Sequence, residues 1–235
     1  AGRDLSHCVC VVFDILRATT TMVTALANGA EAIIPVSEIS EAVAIRAKRP
    51  EVLLAGEREG VRIRAAQTGG PDFDLGNSPR EFTTGRVAGR TIVMTTTNGT
   101  RALRACAGAK TILIGAFLNL ATIANWIKHN RPENLLLVCA GTGEQAAYED
   151  ALAAGALCDL VWETYAAEQM ADSALIAREI YRPAQSDLLG AIQGSRNGRR
   201  LLAIPELRDD VPLCARRDTC DLLAVMHSSG EVRKG

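Results

Sequence analysis

Short apolar runs alternate along this chain with longer segments whose apolar positions recur at helical spacing. The run "CVCVVFD" (8–14) precedes a helical "TTTMVTALANGA", and "EAIIPV" (31–36) precedes "SEISEAVAIRAKRP", where Ser37 and Ser40 are the expected N-caps. "EVLLAGE" (51–57) closes this first series, and a Gly/Pro-rich loop spans Gly56 to Gly89. "RTIVMTTTNGT" (90–100) restarts it, followed by helical "RALRACAGA", the strand "KTILIGAF" and helical "NLATIANWIKHN". "ENLLLVCAG" (133–141) reads as another buried strand; "GEQAAYEDALAAGALCDLVWETY" and "SALIAREIYRPAQ" read as helices. Strands separated by helices predict an α/β/α fold, a mostly parallel sheet covered by helices on both faces. "ANGAEAIIPVSEISEAVAI" and "CAGAKTILIGAFLNLATIA" repeat the same order of elements. The expected organisation is therefore two related α/β subdomains, 1–90 and 91–235, sharing one cleft.

Composition narrows the classes. Apolar residues make up 48% of the 235 positions, enough for a sizeable core, and aromatics only 4%, too few for a base-stacking surface. The net charge of −1 provides no global field for nucleic acid or an anionic membrane, so any anion site must be local. No apolar run approaches the length of a membrane span. The seven cysteines are odd in number and lie mostly in apolar runs; with no secretion signal in view, they predict a reducing, cytoplasmic setting. His7, Cys8 and Cys10 raise zinc briefly, but alternate strand positions without a second ligand pair are the simpler reading. The sequence opens at Ala1 without methionine, so preceding residues are expected.

Ligands of open parallel sheets sit beyond the carboxyl ends of strands, and three such exits carry chemistry. The first, Asp14 to Thr21, offers a carboxylate, Arg17 and the hydroxyls of Thr19 and Thr20. Asp14 either caps the following helix or serves a cation or a phosphoryl group; Arg17 beside a helix start fits an anion bridging to backbone N–H groups. The second, Thr95 to Thr100, brings Thr96, Thr97, Asn98 and Gly99, with Arg101 next, a turn suited to an oxyanion. The third, "CAGTGEQAAYED", fits G-x-G-x-x-A at Gly141, Gly143 and Ala146. The acidic strand end expected about twenty positions on is lacking, because Asp159 falls in a helical stretch. Glu149 and Asp150 either favour a helix N-terminus or reach a metal shared with Asp14. "DLGNSPR", with Asn77, Ser78 and Arg80, and "GER", with Arg58, read alone as a turn and a surface ion pair. Mg²⁺ suits this inventory, since it takes one or two carboxylates plus substrate oxygens and waters. A P-loop, an Asp-x-Asp pair and a Ser-His-Asp arrangement are all lacking.

"VVFDILRATTT", "GER", "DLGNSPREF", "TTTNGTRAL" and "CAGTG…YEDALAAGAL", in this order, closely resemble the 2-phosphosulfolactate phosphatase (ComB-like) family over roughly Val11 to Cys220. The resemblance implies a Mg²⁺-dependent hydrolase that converts 2-phospho-3-sulfolactate to 3-sulfolactate and phosphate, the reaction of coenzyme M biosynthesis. Many relatives occur in organisms that do not make that coenzyme. "VRIRAAQTGGPDF" departs from the family pattern in a loop that could line the pocket, and "LLAVMHSSGEVRKG" departs at the tail, where packing or assembly is concerned.

On this reading Asp14 with Glu149 or Asp150 holds Mg²⁺. Arg17, Asn98 and the threonines grip the phosphoryl group, with Gly99 at the turn. Asn77, Ser78 and Arg80 hold the far end of the substrate, and Arg58 and Arg101 are counted with the substrate- or phosphate-binding residues. Attack comes from a metal-activated water or from Asp14 through a phosphoaspartate. The substrate is a small phosphorylated, sulfonated or carboxylated molecule, with no nucleic acid or membrane partner, and a homodimer is an open expectation. Two other classes remain: a nucleotide- or NAD-binding oxidoreductase using the Gly141 turn, and a relative that binds an anionic metabolite without turning it over.

Overall fold

A computed structural model describes residues 4–235. In its first part the chain forms β1 (Cys8–Phe13), α1 (Ala18–Ala27), β2 (Ala32–Pro35), α2 (Ile39–Lys48), β3 (Leu53–Arg58), β4 (Val61–Arg62) and the short helices α3 (Ala65–Thr68) and α4 (Thr84–Val87). Next come β5 (Thr91–Thr95), α5 (Gly99–Ala105), β6 (Thr111–Gly115), α6 (Leu120–Asn130), β7 (Asn134–Cys139), α7 (Tyr148–Val161) and α8 (Asp172–Ala184). The chain ends with α9 (Leu188–Gln193), α10 (Arg196–Leu202), α11 (Asp210–Cys214) and the hairpin of β8 (Ala224–Met226) and β9 (Val232–Lys234).

All the named strands join one nine-stranded sheet in the order β4-β3-β5-β2-β9-β8-β6-β1-β7. The α/β architecture follows the alternating pattern, and the longest ladders are parallel, β3/β5/β2 on one side and β6/β1/β7 on the other. Segments 1–90 and 91–235 exchange strands between these blocks. β1 lies between β6 and β7, and β5 lies between β3 and β2. The tail "LLAVMHSSGEVRKG" provides the β8–β9 hairpin, antiparallel to β6 and to β2, which joins the blocks into one sheet.

The hairpin sets the two blocks in opposite senses, yet one core runs through both. Met22, Val23 and Leu26 of α1 pack in a single cluster with Cys10 and Val12 of β1 and with Ile92 and Met94 of β5. Residues at or just past the carboxyl ends of β1, β3, β5 and β7 line one cavity. A second cluster seats α6 and α7 against Val9, Val11 and Phe13 of β1. Helix α7 is buried on nearly all sides, which explains its small residues; a Cβ on Gly155 would lie 2.0 Å from the Ala177 carbonyl oxygen of α8.

Two local expectations are corrected. Neither Ser37 nor Ser40 caps α2: the capping position is Glu38, without a side-chain bond, and the Ser37 carbonyl is taken by Arg58 and Thr95. β7 is an edge strand, only partly buried, because β1 pairs with one side of it alone. The region 185–214 folds into α9–α11 and packs near the cavity. Among the described residues, no three His, Cys, Asp or Glu side chains are grouped to enclose a metal ion, at Cys8 and Cys10 or elsewhere. No helix is long and apolar enough to cross a membrane.

Candidate active site

Polar backbone groups at the end of a buried strand must find partners, and at the first exit the threonines supply them. The Thr19 hydroxyl accepts from the Asp14 amide at 2.9 Å and donates to the Asp14 carbonyl at 3.0 Å; the Thr20 hydroxyl donates to the Ile15 carbonyl at 2.9 Å. Both residues are fully buried and fasten α1 to β1, so they are not among the cavity-lining residues. The Asp14 Oδ1 accepts from the Ala18 amide at 3.3 Å, and its Oδ2 sits beside Gly99.

At the second exit Thr96 and Thr100 bond reciprocally inside the turn, which occupies the Thr96 hydroxyl. The Thr97 amide and hydroxyl both donate to Glu57 Oε1, at 2.8 and 2.9 Å, while the Gly60 amide donates to Glu57 Oε2 at 2.6 Å. Asn98 Oδ1 accepts from the Gly143 amide at 3.1 Å, which fixes the side chain and leaves its NH₂ free to donate. At the third exit both Asp150 oxygens are engaged, by the Ile15 amide at 2.8 Å and the Gly141 amide at 3.1 Å. Asp150 therefore stitches the exits of β1 and β7 together. Glu149 Oε1 accepts from Asn197 Nδ2 at 2.6 Å, and its buried Oε2 has no partner.

These exits surround a cavity of about 290 Å³ lined by Asp14, Arg17, Glu57, Arg58, Asn77, Thr97, Asn98, Glu149 and Asp150, and also by Glu59, Thr142, Asn197 and Arg200. The carboxylates crowd one another. Burial, reinforced by the charges of Glu57 and Glu149, pushes Asp14 up to about 7, against the Ala18 amide and Arg17, which favour its anion. Burial and the Asp14 charge raise Asp150 well above the usual carboxylate range.

Arg17 departs from the expected anion clamp. Its Nη1 meets Asp210 Oδ2 at 2.8 Å and its Nη2 donates to the Gly60 carbonyl at 2.8 Å, so its charge is balanced inside the protein. Ser78 and Arg80 also turn to Asp210, at 2.6 and 2.8 Å, and lie outside the cavity lining. Arg101 is exposed and outside the lining as well. Asn77 does line the cavity, with a buried Oδ1 that has no partner. Gly99 packs under Asp14: a Cβ there would lie 2.7 Å from Asp14 Oδ2 and 2.6 Å from the Ala18 Cβ. Gly99→Ala is thus expected to displace Asp14 and destabilise the chain by about 1–3 kcal/mol, the usual penalty of overpacking, as read by denaturant melts.

Five polar or charged lining residues were absent from the expected set: Glu57, Glu59, Thr142, Asn197 and Arg200. Glu57, read from "GER" as half of a surface pair, is 7% exposed and organises two loops; its place at a strand end was the available signal. Thr142 lies inside the third exit, "CAGTGEQAAYED", whose glycines and carboxylates drew the reading instead, while Asn197 and Arg200 lie in "GSRNGRRLL", which carries no strand-end signal. The G-x-G-x-x-A turn loses its nucleotide logic here: the Gly141 and Gly143 amides are already bonded to Asp150 and Asn98, and α7 starts only at Tyr148.

A family model described as 2-phosphosulpholactate phosphatase matches residues 1–229. A protein of Symbiobacterium thermophilum named "Probable 2-phosphosulfolactate phosphatase" is 37% identical over 233 residues, 98% of this chain and 96% of its own length. Proteins of the same name from Caldicellulosiruptor saccharolyticus (38% over 215 residues; 90% and 86% covered) and Pseudothermotoga lettingae (36% over 217 residues; 92% and 88%) align similarly. With a family match over nearly its whole length and relatives above one-third identity, the chain belongs to the 2-phosphosulpholactate phosphatase family.

Proposed function

We propose that this protein is a Mg²⁺-dependent phosphatase that hydrolyses 2-phospho-3-sulfolactate to 3-sulfolactate and phosphate. One observation carries the reading. Two buried carboxylates in a single cavity each keep an oxygen outside the internal hydrogen bonds, Asp14 Oδ2 and Glu149 Oε2, and two guanidinium groups without a carboxylate partner among the described residues, Arg58 and Arg200, line that same cavity. The relatives' names supply the substrate class.

The donor set fits Mg²⁺ as a partly open site. Of the buried carboxylates that line the cavity, Asp150 and Glu57 have both oxygens bonded to backbone or threonine groups, which leaves Asp14 and Glu149 to hold the ion. That agrees with the absence of a closed three-ligand cluster among the described residues, because Mg²⁺ completes its shell with water and phosphate oxygens. When bound, the ion would act as a Lewis acid that neutralises charge on the phosphoryl group and on the departing alkoxide. Asn197 fixes the Glu149 carboxylate so that its other oxygen stays available. Asn98, pinned through its Oδ1, offers its NH₂ to a phosphoryl oxygen. Arg58 is oriented by three neutral acceptors, the Glu57 and Ser37 carbonyls and Thr95 Oγ1, so its charge remains available to an anion. Hydrolysis forms a bond from a water oxygen to phosphorus and breaks the ester P–O bond; a proton moves to the departing alkoxide.

A Mg²⁺-dependent screen of phosphomonoesters that carry or lack sulfonate and carboxylate tests this directly. Phosphate release fastest from the sulfonated, carboxylated ester is expected; ligand-induced stabilisation with no release from any ester would point instead to a binding protein.

A pH dependence follows from Asp14. Its folded-state value of about 7 lies above its unfolded value of 3.8, so between these the folded chain holds a proton that the unfolded chain releases. Without divalent ions, the stability contributed by this group therefore falls as pH rises through that window. Protection by Mg²⁺ should run the other way, because the ion competes with that proton. The melting shift caused by Mg²⁺ is expected to be larger at pH 8 than at pH 5.5, and an equal shift at both would remove Asp14 from the ligand set.

A further inference from the structure

Three arginines line the cavity, and the structure treats them differently. Arg17 is buried and ion-paired to Asp210. Arg58 is held by the Glu57 and Ser37 carbonyls and by Thr95 Oγ1. Arg200, on α10, makes a single bond, from Nη2 to the Glu59 carbonyl at 2.5 Å, and it is exposed at the cavity rim. Four of its five N–H groups are thereby left without an acceptor among the described residues. No described carboxylate lies within salt-bridge distance of it, including that of Glu59. The bond to Glu59 nevertheless fixes its direction, tying it to the turn between β3 and β4, which Glu57 and Arg17 clamp through Gly60. Asn197, one helical turn earlier on the same face of α10, reaches Glu149 in the cavity wall.

We infer that Arg200 is the specificity residue that receives the substrate's sulfonate. This rests on the phosphatase reading above and deepens it. The phosphoryl group belongs at the buried carboxylates Asp14 and Glu149, whereas Arg200 stands at the exposed rim. In 2-phospho-3-sulfolactate the carboxylate carbon is attached directly to the ester carbon, and the sulfur lies one carbon further out. The sulfonate therefore extends farthest from the phosphoryl group, toward the rim. A planar guanidinium fork with most donors free matches two of its three oxygens, and the exposed setting suits a group that stays well hydrated.

The test compares kcat/KM for 2-phospho-3-sulfolactate with that for 2-phospholactate, which lacks the sulfonate, in the wild-type protein, Arg200→Met and Arg200→Lys. In Arg200→Met the preference for the sulfonated ester should fall by about 10- to 100-fold, the scale of a lost charge-assisted pair, with the loss appearing in KM. Arg200→Lys should recover only part of that preference. Equal loss on both esters, or an unchanged ratio, would overturn the assignment. If the wild-type protein releases phosphate from neither ester, the phosphatase reading fails and calorimetry with 3-sulfolactate and lactate decides Arg200 separately. Tenfold weaker 3-sulfolactate binding in Arg200→Met would then support the sulfonate site; equal binding, or none to either protein, would overturn it.

Discussion

Asp14→Asn is expected to lower Mg²⁺-dependent phosphate release by at least about 10³-fold while leaving the chain folded. Lewis-acid stabilisation of a phosphoryl transition state is worth several kcal/mol, and each 1.36 kcal/mol is a factor of ten in rate. On the proposed reading, in which Asp14 and Glu149 hold the ion, losing one of the two forfeits most of that. The fold should survive because asparagine keeps an oxygen for the Ala18 amide, and the backbone bonds of residue 14 run to Thr19, independently of the carboxylate. Removing a crowded, buried negative charge should even raise the melting temperature above pH 7, where the wild-type carboxylate is ionised. Phosphate release and a thermal melt on the same preparation check both halves. Full release by the variant with Mg²⁺ present would end the assignment of Asp14.

Asp210→Ala should instead be the most damaging change to stability. Asp210 is fully buried and collects Arg17 Nη1 at 2.8 Å, Ser78 Oγ at 2.6 Å and Arg80 Nε at 2.8 Å, tying α11 to the strand exit and to the 74–82 loop. The Arg17 and Asp210 side chains are only 3% and 0% exposed, so water cannot replace the lost partner. Truncating one member of such a pair costs about 3–5 kcal/mol, chiefly because the remaining charge stays buried. At about 2–4 °C per kcal/mol for a chain of this size, the melting temperature should drop by roughly 6–20 °C. Asp210→Asn should recover part of this by still accepting from Ser78. Arg80, whose side chain is 38% exposed, provides the contrast: Arg80→Ala should cost no more than about 1 kcal/mol. A loss below 1 kcal/mol in Asp210→Ala, measured by denaturant titration, would mean that Arg17 finds another partner.

The two cases show which parts of the site could be read from the chain and which could not. That Asp14, Asn98 and Glu149 share a cavity was legible, because each follows a strand-like run and strand ends of an α/β sheet gather ligands. The roles of the hydroxyls and arginines were not. Thr19, Thr20 and Thr96 look like phosphate donors, yet each hydroxyl satisfies a neighbouring backbone group. Arg17, Ser78 and Arg80 look like an anion grip, yet they meet an aspartate in a segment that carried no motif. Asn197 and Arg200 lie in a charged stretch with no strand pattern, and only the packing of α10 brings them to the cavity. The tail shows the same limit: "LLAVMHSSGEVRKG" is too short a signal to announce the hairpin that joins the two halves of the sheet.

The sequence by itself determined the alternation of strands and helices, the exits that carry carboxylates, and the family. These depend on residue type and near-neighbour spacing, which the chain states locally. The tertiary structure alone decided which polar groups remain available for a ligand. Availability is what is left after each buried donor and acceptor finds a partner, and the partners stand far off in the chain: Thr97 is 40 residues from Glu57, Ile15 is 135 from Asp150, and Arg17 is 193 from Asp210.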